Sequence, residues 1–380
     1  MSEDTYANDL ALIRRQAEPV ELLGPDDQRV LVVPAWQGRV MTSTPAGKAG
    51  PSFGWLNRPF IAAGHEDSVF NNFGGEDRFW LGPEAGQFGL WFRQDEPFDM
   101  DHWRTPEGFN SGPFEPTEQD QASVAMARRL AVSNYSGTTF DCGVERTVRL
   151  LGPGQAAELL GTEVPDGARM VAFESENVLA NVGDAPWASD GGLLSLWILG
   201  QFKPLPRGKV IVPFRPGSEA DLGPRATTNY FGEIPGDRCR FAEQHVLFAC
   251  DGKHRGKIGI SPRRSRGVIG SYDPDGGALT IVQFNQPLTA SELPYVNSLW
   301  EVQARPFAGD AINSYNDGEP TPGAGQLGPF YEIETSSPAA VLKPGESLTH
   351  VHRTFHFTGD PEGLNLLART TLGITLDAVT

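Results

Sequence analysis

Thiols are scarce in this chain. Of its 380 residues only three are cysteine, Cys142, Cys239 and Cys250, and their spacing matches no metal-binding pattern. An odd, sparse set excludes a disulfide framework and fits a reducing compartment. Long apolar runs are missing as well, none approaching the roughly 20 residues that a membrane span needs. The acidic start, Met1 to Thr5, is followed by no apolar leader, so the expectation is a cytoplasmic protein without a membrane partner. Cations are the minority: 31 lysines and arginines against 48 acidic residues give a net charge of −17, which argues against nucleic acid as a partner. There is no Gly-X-Ser-X-Gly elbow, no phosphate-cradling glycine loop ending in Lys-Ser/Thr, and no dinucleotide fingerprint. Helical periodicity is also rare. With 44 glycines and 31 prolines, the chain reads as many short strands joined by turns, in one contiguous β domain over 1–380.

Against that background one stretch stands out. From Tyr331 the chain alternates, with Tyr331, Ile333 and Thr335 on one side and Glu332, Glu334 and Ser336 on the other. That is the period of a β-strand with two carboxylates on its polar face. Lys343-Pro-Gly-Glu346 is a turn signal. The strand that follows puts His350, His352, Thr354 and His356 on one face, and Val351, Arg353, Phe355 and Phe357 on the other. Paired as a hairpin, these two segments offer carboxylates and imidazoles to one surface. A carboxylate and an imidazole a few ångströms apart suit general acid/base chemistry.

Two further clusters carry polar chemistry. Asn71 to Glu84 contains Gly74-Gly75, then Glu76, Asp77 and Arg78 beside Phe79 and Trp80. An arginine can fork onto vicinal hydroxyls and an aromatic ring can stack on a sugar face, which predicts a cleft; a buried Arg–carboxylate brace is the alternative. Residues 309–318 bring Asp310, Asn313, Asn316 and Asp317 together with Tyr315. Such side chains shape turns and equally hydrogen-bond hydroxyls. Elsewhere the pattern predicts a short helix over 5–15 and strands at 20–24, 29–34, 87–92, 144–150, 170–177 and 192–202. A long loop is expected at 93–122, and surface connections at 203–230 and 254–266.

The segment Phe330 to Ser347, with Glu-Ile-Glu-Thr leading to Leu-Lys-Pro-Gly-Glu, resembles the late segment of aldose 1-epimerases (galactose mutarotases). The 71–84 segment resembles the Gly-Gly-(Asp)-(Arg/Lys)-Leu-Trp stretch that borders their sugar cleft. The resemblance implies an all-β galactose-mutarotase-like supersandwich, with large antiparallel sheets and a concave carbohydrate-binding face. It also implies acid/base catalysis on a sugar with Glu334 as the base. The family's acid histidine would fall within Glu176 to Gly183, which holds none, so His352 is the expected acid. The expected substrate-binding set is Arg78, Glu76, Asp77, Trp80, Asn313, Asn316, Asp317 and Glu332, and the expected partner is a small carbohydrate. Two other readings stay open: a glycoside hydrolase or lyase pairing Glu334 with Glu76 or Asp77, and a non-catalytic sugar-binding protein. No cofactor is expected. A divalent metal on His350 and His352, completed by Glu332 or Glu334, is the weaker alternative.

Overall fold

A computed structural model describes residues 5–379. Among them the strands are β1 (Val20–Leu23), β2 (Arg29–Val33), β3 (Arg39–Thr44), β4 (Arg78–Gly82), β5 (Glu115–Gln119) and β6 (Ser123–Ser133). These are followed by β7 (Thr139–Leu150), β8 (Arg169–Asn181), β9 (Ser195–Phe202), β10 (Leu205–Pro213), β11 (Cys239–Phe241) and β12 (His245–Cys250). The last are β13 (Gly256–Ile260), β14 (Val268–Asp273), β15 (Ala278–Phe284), β16 (Ile312–Asn316), β17 (Tyr331–Ser336) and β18 (Ser347–Thr358). They form a ten-stranded sheet, β11-β12-β10-β14-β15-β18-β8-β7-β6-β5, a five-stranded sheet, β13-β16-β17-β9-β4, and a three-stranded sheet, β1-β2-β3. Every ladder within them is antiparallel, as in β17 against β16 and β9. The architecture is all-β with large antiparallel sheets, as the resemblance implies.

The two larger sheets pack face to face because alternate residues of each are apolar. Ile258, Ile260, Ile312 and Ile333 of the smaller sheet meet Val210, Val212, Ile269 and Val282 of the larger. Phe79, Leu81 and Ile198 pack in the same way with Val144, Val148 and Phe173. Each such side chain contributes about 1.5–3 kcal/mol on leaving water. The run 192–202 holds β9, which is buried along its whole length, as a central strand covered on both faces must be. A helix at Tyr6–Ile13 lies within the expected 5–15, capped by the Thr5 side chain.

Several expectations need correction. The strands before and after the Lys343–Glu346 turn are not a hairpin: β17 lies between β16 and β9, whereas β18 lies between β15 and β8 in the other sheet. The expected loop 93–122 contains a helical turn, Glu107–Asn110, and edge strand β5. Residues 87–92 form no strand. The stretches read as surface connections hold β10, with Val210, Ile211 and Val212 fully buried, and β13.

Candidate functional site

The outward face of the five-stranded sheet is built by strict alternation. β13 turns Lys257 and Gly259 outward, β16 turns Asn313 and Tyr315, and β17 turns Glu332 and Glu334. β9 adds Trp197, Leu199 and Gln201, and β4 adds Arg78 and Trp80. Register sets these in rows across the sheet. Lys257, Tyr315, Glu332 and Gln201 are mutual neighbours in one row. Gly259, Asn313, Glu334, Leu199 and Arg78 form the next. Ser336, Trp197 and Trp80 form a third. Gly259 has to be glycine, since a Cβ there would lie 2.0 Å from Asp310 Oδ2.

Over this face lies a cleft of about 500 Å³, mouth included, roofed by Phe70, Met100, Trp103, Phe231, Trp300, Leu327 and Phe330. Two ion pairs occupy its floor. Arg78 Nη2 donates to Glu332 Oε1 at 2.7 Å while its guanidinium lies 4.0 Å from the Trp80 ring centroid. Lys257 Nζ donates to Glu334 Oε2 at 2.9 Å, and Trp197 Nε1 donates to the same oxygen at 2.8 Å. Beside them Tyr230 OH donates to Asp310 Oδ2 at 2.7 Å and receives the Asn313 amide at 3.1 Å. Glu84 accepts from Trp103 Nε1 at 2.9 Å.

Burial pushes the Glu332 carboxyl up to about 7, against the opposing pull of Arg78 and with the help of Glu334. It also raises Asp310, to about 6, although the Tyr230 hydroxyl works the other way. For Lys257 burial disfavours the charge, yet Glu334 and Glu84 outweigh it and the ammonium is held above its ordinary value. Hydrogen-bonding capacity is left over within the protein. Arg78 Nε and Nη1, Trp80 Nε1, Trp300 Nε1, Gln201 Oε1 and Glu334 Oε1 are buried without a partner among the described residues. Unfilled donors and acceptors of this kind beside a cleft suit a ligand rich in hydroxyls.

Not every expected site residue lies here. Arg78, Trp80 and Glu332 line the cleft, and Asn313 lies at its side. Glu334 lies under the Lys257 and Trp197 side chains with no exposure, so Glu332 is the carboxylate a ligand can meet. Glu76 and Asp77 lie between the sheets. Glu76 accepts from the Ser43 backbone and contacts His356 Nε2 at 3.0 Å, while Asp77 pairs with Arg146 and accepts from Ser175. They are the brace, not the cleft, which also removes the hydrolase pairings of Glu334 with either. Asn316 points inward and holds the 252–254 turn. Asp317 ties Tyr315 OH to the Gly328 N–H behind the wall.

The expected acid, His352, is on the wrong side of β17. His350 Nε2 and His352 Nδ1 both meet Thr335 Oγ1, at 2.8 Å each, on the face opposite Glu332 and Glu334. Burial pushes the two imidazoles down to about 3 and about 4, so both are neutral near pH 7. The same geometry removes the metal alternative: the strand separates the histidines from the carboxylates, and no metal-sized group of ligands occurs among the described residues. Sequence reasoning missed Lys257, Trp197, Tyr230, Arg255 and Trp300. Lys257 had a signal, because Lys257 and Gly259 alternate with Ile258 and Ile260.

Comparison with known proteins bears on the fold. A candidate aldose 1-epimerase of Escherichia coli K12 superposes with a TM-score of 0.51 at 11% identity, over 89% of this chain and 99% of that one. The Slr1438 protein of Synechocystis sp. PCC 6803 gives a TM-score of 0.52 at 14% identity, over 91% and 97%. A galactose mutarotase-like protein of Lactobacillus casei ATCC 334 gives 0.49 at 9% identity, over 89% and 100%. Among curated proteins none matches the chain in sequence. A family profile, described as a family of unknown function (DUF6786), matches residues 4–380. On the first two of these superpositions the chain has the fold of the candidate aldose 1-epimerase, and by the profile it belongs to the DUF6786 family.

Proposed function

We propose that this protein acts on a sugar or sugar derivative by acid/base proton transfer, in the manner of an aldose 1-epimerase. One observation carries the reading. Glu332 and Glu334 stand on one face of one strand, roughly 6.6–6.8 Å apart along it, each held by its own cation on an aromatic floor. Glu332 lines the cleft, and burial brings it near neutrality, where a carboxyl both takes and returns a proton. In ring opening Glu332 takes the proton of the anomeric hydroxyl while the C1–O5 bond breaks and C1 becomes a carbonyl. The Lys257 ammonium, fixed by Glu334, donates to the ring oxygen. Reclosure on the other face of the carbonyl returns both protons. Trp80 and Trp197 support the sugar faces, and Arg78 its hydroxyls.

The test is exchange NMR of anomeric protons over a panel of free aldoses and their acidic and amino derivatives. Wild type is expected to accelerate exchange for at least one sugar, and Glu332→Gln to lose about 10²–10⁴-fold of that rate while still binding. Full exchange by Glu332→Gln removes Glu332 from the chemistry. A panel without exchange, but with new reducing ends released from an oligosaccharide, assigns the pair of carboxylates to glycoside cleavage instead. Ligand-induced thermal stabilisation without either reaction marks a binding protein.

A further inference from the structure

We infer that the molecule held in this cleft carries an anionic group, a carboxylate or a phosphate, and that Arg255 receives it. The inference rests on the sugar-acting reading above and names its substrate class. Three cations line the cleft: Arg78, Lys257 and Arg255. Arg78 is paired with Glu332 and Lys257 with Glu334. Arg255 has no carboxylate within ion-pair distance among the described residues, in a chain with 48 acidic side chains. The nearby acid is already committed: Asp317 accepts from Tyr315 OH at 2.6 Å and from the Gly328 N–H at 2.8 Å.

Arg255 is nevertheless held in place. Its guanidinium carbon lies 3.7 Å from the Phe231 ring centroid and 5.3 Å from that of Trp300, and Nη2 contacts Met100 Sδ at 3.5 Å. Aromatic rings cover the faces of the guanidinium, one of its in-plane N–H groups donates to the Tyr315 hydroxyl oxygen, and the others are left for an acceptor. Those groups match the two oxygens of a carboxylate or phosphate. Trp300 Nε1, beside it, is a buried donor without a partner. The position is informative too. Arg255 precedes β13 at one edge of the five-stranded sheet, while Arg78 belongs to β4 at the other. A ligand anchored at Arg255 therefore leaves Glu332 and the tryptophan floor free for its uncharged part. With a net charge of −17 the protein as a whole repels anions, so attraction has to come from a local, desolvated cation of this kind.

The experiment is calorimetric titration of wild type, Arg255→Gln and Arg255→Lys with glucose, glucuronate and glucose 6-phosphate, and with the galactose counterparts. Wild type is expected to bind an acidic sugar about 10–100-fold more tightly than its neutral parent, the carboxylate and phosphate arms telling the two anions apart. Arg255→Gln should lose that preference, and Arg255→Lys should keep part of it. Equal affinity for neutral and acidic forms overturns the inference, as does a preference that survives in Arg255→Gln. A parallel thermal-shift series with inorganic phosphate and acetate separates this idea from the one beneath it. Stabilisation of wild type but not of Arg255→Gln, with no sugar bound, keeps the anion site and rejects the sugar. No anion effect in a protein that binds sugar rejects the anion site alone, and neither kind of binding rejects both.

Discussion

The two sides of the five-stranded sheet that holds β17 are built to opposite ends. Inward, Thr335 meets His350 and His352, Glu76 meets Ser43 and His356, and Asp77 meets Arg146 and Ser175, all at 0–2% exposure. Outward, Glu332 and Glu334 each have a cation, yet the floor around them keeps several unanswered donors and acceptors beside an open cleft. Both faces are charged and buried, so charge and burial alone do not mark a site. Unfilled hydrogen-bonding capacity facing a space does. On this contrast the inner network is structural, and it holds the strand whose other face lines the cleft.

Three experiments sharpen or break that contrast. The largest effect is expected from Asp77→Ala, which leaves the fully buried Arg146 guanidinium without its counter-ion and should cost about 3–5 kcal/mol in urea denaturation. A loss under about 1 kcal/mol would mean the inner pair is not a brace. Next, Thr335→Val keeps shape but takes the shared hydroxyl from two imidazoles. About 1–3 kcal/mol of stability should go with it, and ligand affinity should move far less. A variant that stays stable but no longer binds would reverse the assignment of the two faces.

The smallest effect is in the pH dependence of stability, where the faces should carry opposite signs. Glu332 is raised from 4.5 to about 7 in the fold, so the native state holds its proton more tightly than the unfolded chain does. Its contribution is full below about pH 4.5 and is lost as pH rises through about 7. His350 and His352 are lowered from 6.5 to about 3 and about 4, so their contribution is full above about pH 6.5 and is lost as pH falls through those values. Denaturation midpoints across this range should show Glu332→Gln flattening the upper limb and His352→Gln flattening part of the lower. An upper limb unchanged in Glu332→Gln would contradict the burial argument.

Much of this was legible in the sequence, and the limit has a physical cause. Alternation around Glu332 and Glu334 places both on one face and Thr335 on the other, as the structure has them. Side-chain period reports faces, not partners, so nothing local says that the chain leaves β17 for the opposite sheet at Lys343–Glu346. That single change of sheet takes His352 away from the carboxylates. The 71–84 segment divides for a related reason: Arg78 and Trp80 sit within β4 and share its outward face, whereas Glu76 and Asp77 precede it and reach across the core. Lys257 and Trp197 were hidden by context, one in a basic run and the other in an apolar one. Arg255 is recognisable only through what it lacks, a counter-ion, which no sequence pattern records.

The threonine between the two imidazoles has one hydrogen to give, and that fixes more than stability. Its Oγ1 touches a ring nitrogen of each, and it can donate to only one of them while its lone pairs accept from a protonated nitrogen. His352 Nε2 is buried without a partner. A bare lone pair there costs less than a stranded N–H, because an acceptor loses less on leaving water than a donor left unmet. The expected arrangement has the hydrogen of His352 on Nδ1, given to Thr335, and that of Thr335 given to His350 Nε2. The two rings form a directional chain in which the tautomer of one sets that of the other, and the nitrogen chemical shifts of the pair should report a single ordered arrangement rather than a mixture.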